Sequence, residues 1–261
     1  MIKFIATDLD GTLLPDSSKD PTPEDFEAIK KLQQRGVLFA AASGRQYDNL
    51  KRLFGPVSED MVYICENGAL IMYRGERLSI TEIPHDTALD IIRDIQSLDG
   101  CEAQISTDEL IRIVPKDPGF PDDLRYNWNT EFIIAPSIES LTMPIIKISL
   151  YQKTGLTQAT IDHLKANWSG RFNVAVSGKS WIDVTVADKG TATRKIKEHF
   201  GFSPDEMAVF GDNFNDIQML DEVTHGFVMK NAVPEIHKHG KYVCNLVRES
   251  LNEILDKNLE L

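Results

Sequence analysis

The sequence predicts an α/β chain: a doubly wound parallel sheet whose two halves are separated by an inserted α+β domain. Three observations carry that expectation. Short apolar runs such as Val37–Ala42 (VLFAAA) alternate with amphipathic stretches, as strands covered on both faces alternate with crossover helices. Several of these runs end in a polar cluster with a glycine, the punctuation expected where strands meet loops. Between about residues 84 and 183 the rhythm changes to paired short strands with helices between them. The expected organisation is therefore a first core half at 1–83, an insertion at 84–183 and a second core half at 184–261.

Phe4–Thr7 reads as a short buried strand running into Asp8-Leu9-Asp10 and a Gly11-Thr12 turn. Strand side chains alternate faces, so Asp8 and Asp10 share a side while Leu9 enters the core. Two carboxylates at a strand end repel, and a cation, a shared proton or a chemical task must stand beside them. A bare D-x-D can also be a solvated turn with capping aspartates. A polar loop over 15–21 precedes a helix with Thr22 as cap, Pro23 in first position and Asp25 three residues after the cap. Phe26, Ile29 and Leu32 recur at helical spacing, and Gly36 is the stop. The strand over Val37–Ala42 ends in Ser43-Gly44-Arg45. A short helix carrying Tyr47, Leu50 and Phe54 stops at Gly55-Pro56, and a strand over Val62–Cys65 runs into Glu66-Asn67-Gly68-Ala69.

Ile71–Ile83 reads as a hairpin turning at Arg74-Gly75. The insertion opens with a helix over Asp86–Leu98, its Leu89, Ile92 and Ile95 on one face. Strands are expected near Glu102–Ser106 and Leu110–Val114, then a loop over Pro115–Pro121. A strand over Ile145–Tyr151, a helix over Thr157–Trp168 and strands at Phe172–Val176 and Trp181–Val186 complete it. The parallel rhythm then resumes. A helix over Thr191–Phe200 stops at Gly201, and a strand over Met207–Phe210 leads into GDNFND. Gly226–Met229, a helix near 233–239, Tyr242–Cys244 and an amphipathic helix with Leu251, Ile254 and Leu255 finish the chain.

At 261 residues the chain can form one large domain or two modest ones. Its 28 basic against 40 acidic residues give a net charge of −12, which argues against nonspecific nucleic-acid or anionic-membrane partners. A metal and a few local cations would still let such a protein hold phosphate. Cys65, Cys101 and Cys244 are widely spaced and lack a C-x-x-C, as buried thiols in a reducing compartment would be. Asp8 comes too early for a signal peptide, and no apolar run is long enough to span a bilayer. A cytoplasmic protein is expected.

Four polar clusters fall beyond strand ends, where open parallel sheets bind ligands: Asp8/Asp10, Ser43-Gly44, Asp188-Lys189-Gly190 and Asp212…Asn215-Asp216. Singly, each is satisfied by a turn, a surface lysine or an Asx-rich loop. As an ordered set headed by DLDGTLL they resemble the motifs of the haloacid dehalogenase-like phosphatases. The insertion resembles the large cap of the Cof-type branch, and the likeness covers most of the chain.

The resemblance implies a Rossmann-like core with an α/β cap that closes over it and sets specificity. It implies Asp8 as nucleophile, forming an aspartyl-phosphate, and Asp10 as general acid/base. Mg²⁺ would be held by Asp8, the backbone carbonyl of Asp10 and Asp212, with Asp216 supporting the shell. Ser43, Gly44, Lys189 and Asn215 would bind the phosphate oxygens. Phosphoryl transfer needs these parts: an in-line nucleophile, neutralised equatorial oxygens and a proton for the leaving group. Without a cation, Asp8 would repel the incoming anion. One departure is that CNLVRESLNEIL keeps Asn245 but lacks the Gly-Val many Cof-type members carry after their last core strand.

Other signals are weaker. Asn173–Ser180 (NVAVSGKS) lacks the first glycine of a P-loop and has strand-like flanks. His237 and His239 lack a third zinc ligand, and Trp128, Trp168 and Trp181 suit packing. The expected function is a Mg²⁺-dependent phosphatase acting on a small phosphorylated metabolite, with a sugar phosphate as the leading candidate. A phosphomutase of the same superfamily and a non-catalytic phosphometabolite sensor are the alternatives. Oligomeric state is not legible in the sequence.

Overall fold

The computed structural model describes residues 1–15, 18–128 and 130–261; of the polar loop expected at 15–21, residues 16 and 17 lie outside the described residues. The chain divides into two compact units, Met1–Ser79 with Asp188–Leu261, and Ile80–Ala187. The expected insertion at 84–183 falls within the second.

In the first unit, β1 (Phe4–Asp8) is buried along its whole length. Helix α1 (Pro23–Gln34) begins where cap chemistry dictates. Asp25 donates its backbone N–H to the Thr22 hydroxyl (3.3 Å), and its carboxylate accepts the Thr22 N–H (2.8 Å). Strand β2 (Leu38–Ala42) follows, then α2 (Tyr47–Leu53). Helix α2 stops before Gly55-Pro56, as expected, and a separate 3₁₀ turn, Gly55–Asp60, follows, since proline lacks only an N–H that a first turn leaves unused. After β3 (Met61–Cys65) come β4 (Leu70–Tyr73) and β5 (Glu76–Ile80). Arg74 and Gly75 between them have φ of 51° and 80°, the left-handed pair of a tight hairpin turn. The hairpin ends at Ile80 rather than Ile83.

The second unit holds α3 (His85–Ser97), β6 (Cys101–Thr107), β7 (Ile111–Ile113), α4 (Phe120–Asp122), β8 (Phe132–Ile134), β9 (Ile145–Gln152), α5 (Gln158–Trp168), β10 (Asn173–Val176) and β11 (Trp181–Thr185). Its strands run in the order β10-β11-β9-β6-β7-β8, antiparallel except for β7 beside β8. Ile91, Ile92 and Ile95 of α3 pack with Ile105, Ile148, Leu150 and Val184 of the sheet. Two expectations are corrected. The loop over Pro115–Pro121 ends in the helical turn α4, where Pro121 sits near the start and forfeits no helical bond. Strand β8 was not foreseen. Trp168 is buried and donates its indole N–H to Asp94 (2.7 Å), whereas Trp128 is half-exposed, edge-on to Trp181 at 5.4 Å. Residues 173–180 form β10 and the turn into β11, not a strand–loop–helix.

The first unit resumes with α6 (Lys189–Phe200), β12 (Met207–Gly211), α7 (Ile217–Asp221), β13 (His225–Met229), β14 (Tyr242–Cys244) and α8 (Val247–Asp256). The helix expected near 233–239 is a 3₁₀ turn, Pro234–His239. The strands are ordered β14-β13-β12-β1-β2-β3-β4-β5. All neighbours from β14 to β3 are parallel, and β4 is antiparallel to β3. Strand β1 lies between β12 and β2, so the winding reverses beside it, and its carboxyl end opens on the sheet's switch point. Cys65, Cys101 and Cys244 are all buried free thiols.

His225 begins β13, buried, with its ring stacked 6.1 Å from Tyr242. Burial and the Lys241 charge hold its imidazole below the ordinary 6.5, against the opposing pull of Asp205. A base depressed in the folded state is kept neutral there, so its stability contribution is present above 6.5 and lost as pH falls. His225→Gln should therefore flatten the acid side of the stability profile. Urea midpoints of both proteins on either side of 6.5 test this; an unchanged slope contradicts it.

Candidate active site

The site begins where β1 runs out. After Asp8 the chain folds over itself, with the N–H groups of Thr12 and Leu14 both donating to the Leu9 carbonyl (3.1 and 2.8 Å). Gly11 makes this possible twice over. Its φ is +93°, and a Cβ there would stand 2.5 Å from the Asp212 carboxylate. That closeness brings β12's loop against β1's: the Thr12 hydroxyl donates to Asp212 Oδ1 at 2.7 Å.

The β12 loop is fixed from within. Asp216 Oδ2 accepts the backbone N–H groups of Asp212 (3.0 Å) and Asn213 (3.1 Å), which aims Asp212 at the β1 turn. Helix α6 starts two residues earlier than its apolar pattern predicts, because Asp188 caps it by accepting the Thr191 N–H at 2.8 Å. Lys189 is therefore the first helical residue. Its side chain is wholly buried, and its ammonium donates to Asp8 Oδ1 (2.5 Å) and Asp216 Oδ1 (2.6 Å).

Two carboxylates thus share one buried ammonium, with the half-buried Asp212 beside them. Burial pushes the Asp8 carboxyl above its ordinary value; Lys189 opposes the rise and Asp216 and Asp212 add to it. Burial also raises Asp212, against the Thr12 hydrogen bond. For Lys189, burial works against the charge, but Asp216 and Asp8 outweigh it and hold the ammonium above its usual range. Carboxylate oxygens of Asp8, Asp212 and Asp216 lie within 4.8 Å of one another. Hard oxygen donors with an excess of negative charge are what a small divalent cation requires, so the donor set fits one. Among the described residues, His237 and His239 enter no such group, and His239 pairs with Asp221 at 2.7 Å.

The second loop is pinned by backbone bonds. The Ser43 N–H donates to the Ile64 carbonyl (2.9 Å), and the Ser43 carbonyl accepts the Asn67 N–H (2.9 Å). Glu66, Asn67 and Gly68 all have positive φ, at 50°, 54° and 102°. Consecutive left-handed non-glycine residues are strained, and such strain concentrates at functional sites. A Cβ on Gly68 would stand 2.3 Å from the Asp188 carbonyl, so this turn abuts the start of α6. The Asn67 side chain lies beside Gly44 and accepts a long 3.5 Å bond from Asn215. Ser43, Gly44 and Asn215 are thereby linked through Asn67, and Asp8, Lys189, Asp212 and Asp216 through their own contacts.

Asp10 behaves differently. Its side chain is 63% exposed and turned onto Arg45, whose Nη2 and Nε donate to its two oxygens at 2.6 and 3.3 Å. Thr12, Arg45 and Asn67 were not singled out in the sequence, although each adjoins a polar cluster that ends a core strand. The polar Glu66-Asn67-Gly68 run after β3 was the available signal.

A family model for haloacid dehalogenase-like hydrolases matches residues 5–250. The chain is similar to the 5-amino-6-(5-phospho-D-ribitylamino)uracil phosphatase of Escherichia coli strain K12, 24% identical over 271 residues, spanning 99% of this chain and 97% of that protein. It is also similar to an HMP-PP phosphatase of Serratia proteamaculans strain 568, 26% identical over 257 residues, spanning 90% of this chain and 86% of that one. A solved structure from Eubacterium rectale superposes with a TM-score of 0.87 at 28% identity, over 97% of this chain and 99% of that chain. Among the described residues no helix is long and apolar enough to cross a membrane.

Proposed function

The chain belongs to the haloacid dehalogenase-like hydrolases and is a phosphatase, and from that premise we propose that it hydrolyses a small phosphorylated metabolite with Mg²⁺ bound and Asp8 as nucleophile. The observation that supports this most is the buried Lys189 bridging Asp8 and Asp216 beside Asp212. A fold gains little from such a cluster, since charges taken out of water are costly. A sensor of phosphometabolites would need no nucleophile there.

In this reading Lys189 fixes Asp8 by one oxygen and leaves Oδ2 to attack phosphorus. An oxygen–phosphorus bond forms as the bond to the leaving oxygen breaks, giving an aspartyl-phosphate. Asp10 gives the departing alcohol its proton. It then takes one from water, whose oxygen attacks the same phosphorus and releases Asp8 and inorganic phosphate. Ser43, the Gly44 N–H and Asn215 receive phosphate oxygens. Mg²⁺, held by Asp8, Asp212 and the Asp10 carbonyl with Asp216 behind them, would supply the positive charge that lets a phosphate dianion approach a carboxylate. One relative is named for a phosphoribityl substrate, which suits a sugar or polyol phosphate here. The free buried thiols suit a reducing compartment, and the reading places the protein in the cytoplasm.

Excess EDTA should abolish p-nitrophenyl phosphate hydrolysis and Mg²⁺ should restore it. Mg²⁺ should also raise the Tm of the wild-type protein, and Asp212→Ala should lose both responses while remaining folded. Ca²⁺ should serve poorly, because its larger and looser shell misplaces the reactants. Full activity in EDTA would overturn the assignment.

A further inference from the structure

Beside Asp10 lies a cavity of about 1050 Å³, and its lining runs against the charge of the chain as a whole. In a protein of net charge −12, Lys19, Arg45 and Arg52 line it against Asp10 and Asp20. Asn49 lines it too and stands three residues before Arg52 on α2, so the two share a helix face. Arg45 presents a planar fork, the shape that grips carboxylate or phosphate through two bonds. Here the fork is filled by Asp10. Asp10 thus spends both carboxylate oxygens on Arg45.

We infer that this cavity is an anion site for substrates carrying a second negative group, a carboxylate or phosphate on the leaving-group side, and that its filling hands Arg45 to the substrate and releases Asp10 to the reaction. The inference rests on the phosphatase reading and deepens it. The exchange is easy because an ion pair this exposed is weak in water, and one anion replaces another on the same guanidinium. Binding energy from a group remote from phosphorus is then used to assemble the catalytic arrangement, so the second anion should act on kcat more than on KM. Among sugar and polyol phosphates, those that carry an acid group displace Asp10 and turn over faster than their neutral counterparts.

The test is a matched pair, 3-phosphoglycerate and glycerol 3-phosphate, which differ by a carboxylate in place of a hydroxymethyl group. With Mg²⁺ present, the wild-type protein should favour 3-phosphoglycerate by about tenfold or more in kcat/KM, chiefly through kcat. Arg45→Gln and Arg52→Gln should each shrink that ratio to about threefold or less. Equal kcat/KM for the two esters, or a ratio that survives in both variants, overturns the anion site and leaves the phosphatase reading standing. If neither these esters nor p-nitrophenyl phosphate is hydrolysed, the phosphatase reading falls and the inference with it.

Discussion

Asp8→Ala is expected to remove turnover completely and to leave no phosphorylated protein to trap. The carboxylate is the atom source of the new bond to phosphorus, and no neighbour replaces it. Asp216 spends Oδ1 on Lys189 and Oδ2 on the N–H groups of Asp212 and Asn213. The fold should tolerate the loss. Burial already pushes the Asp8 carboxyl above its ordinary value, so its charge works against the metal-free folded state. Tm without metal should be unchanged or higher. A variant that retained measurable rate, or that unfolded, would show that Asp8 serves structure rather than chemistry.

Lys189→Met should be worse than Asp8→Ala for the protein and nearly as bad for the reaction. The ammonium is wholly buried and bonded to two carboxylates at 2.5 and 2.6 Å. Without it Asp8 and Asp216 face each other and Asp212 with no counter-charge. Breaking a buried pair by removing one partner costs about 3–5 kcal/mol, most of it for the charge left behind. Urea unfolding without metal should show that loss. Adding Asp216→Asn should recover part of it, since the two groups form one network and their effects cannot add. Turnover should drop about 10²-fold or more, the scale for removing a fixed charge from a transition state. A Lys189→Met protein as stable as wild type would mean the three carboxylates are not ionised together.

The contrast between these residues and Arg45 shows what the sequence makes legible. Helix α1 could be placed from Thr22, Pro23 and Asp25 because a capping box is local chemistry, complete within four residues. The β1 and β12 loops could be placed because a continuous apolar run followed by Asp, Asn and Gly is a strand end in any context. Lys189 is legible as a site residue, but its burial between Asp8 and Asp216 is not, because a KG dipeptide is surface-like. The Arg45–Asp10 pair joins residues 35 apart through side chains alone, and no periodicity records such a contact. Strand β8 is three residues held beside β7, too short for alternation to mark it. The turn α4 escaped because prolines on both sides of 115–121 read as loop, whereas one of them stands where a helix begins.

A covalent phosphate on Asp8 can be observed directly by one measurement. Asp10→Ala keeps the nucleophile but lacks the group that activates water, so the intermediate should outlive its formation when the leaving group needs no proton. The variant is mixed with p-nitrophenyl phosphate and Mg²⁺, quenched in acid within the first turnover, digested and examined by mass spectrometry. One phosphoryl group on the peptide carrying Asp8, removed by hydroxylamine and preceded by a burst of nitrophenol, is the expected result. Turnover with no adduct, or an adduct on any other residue, would contradict it.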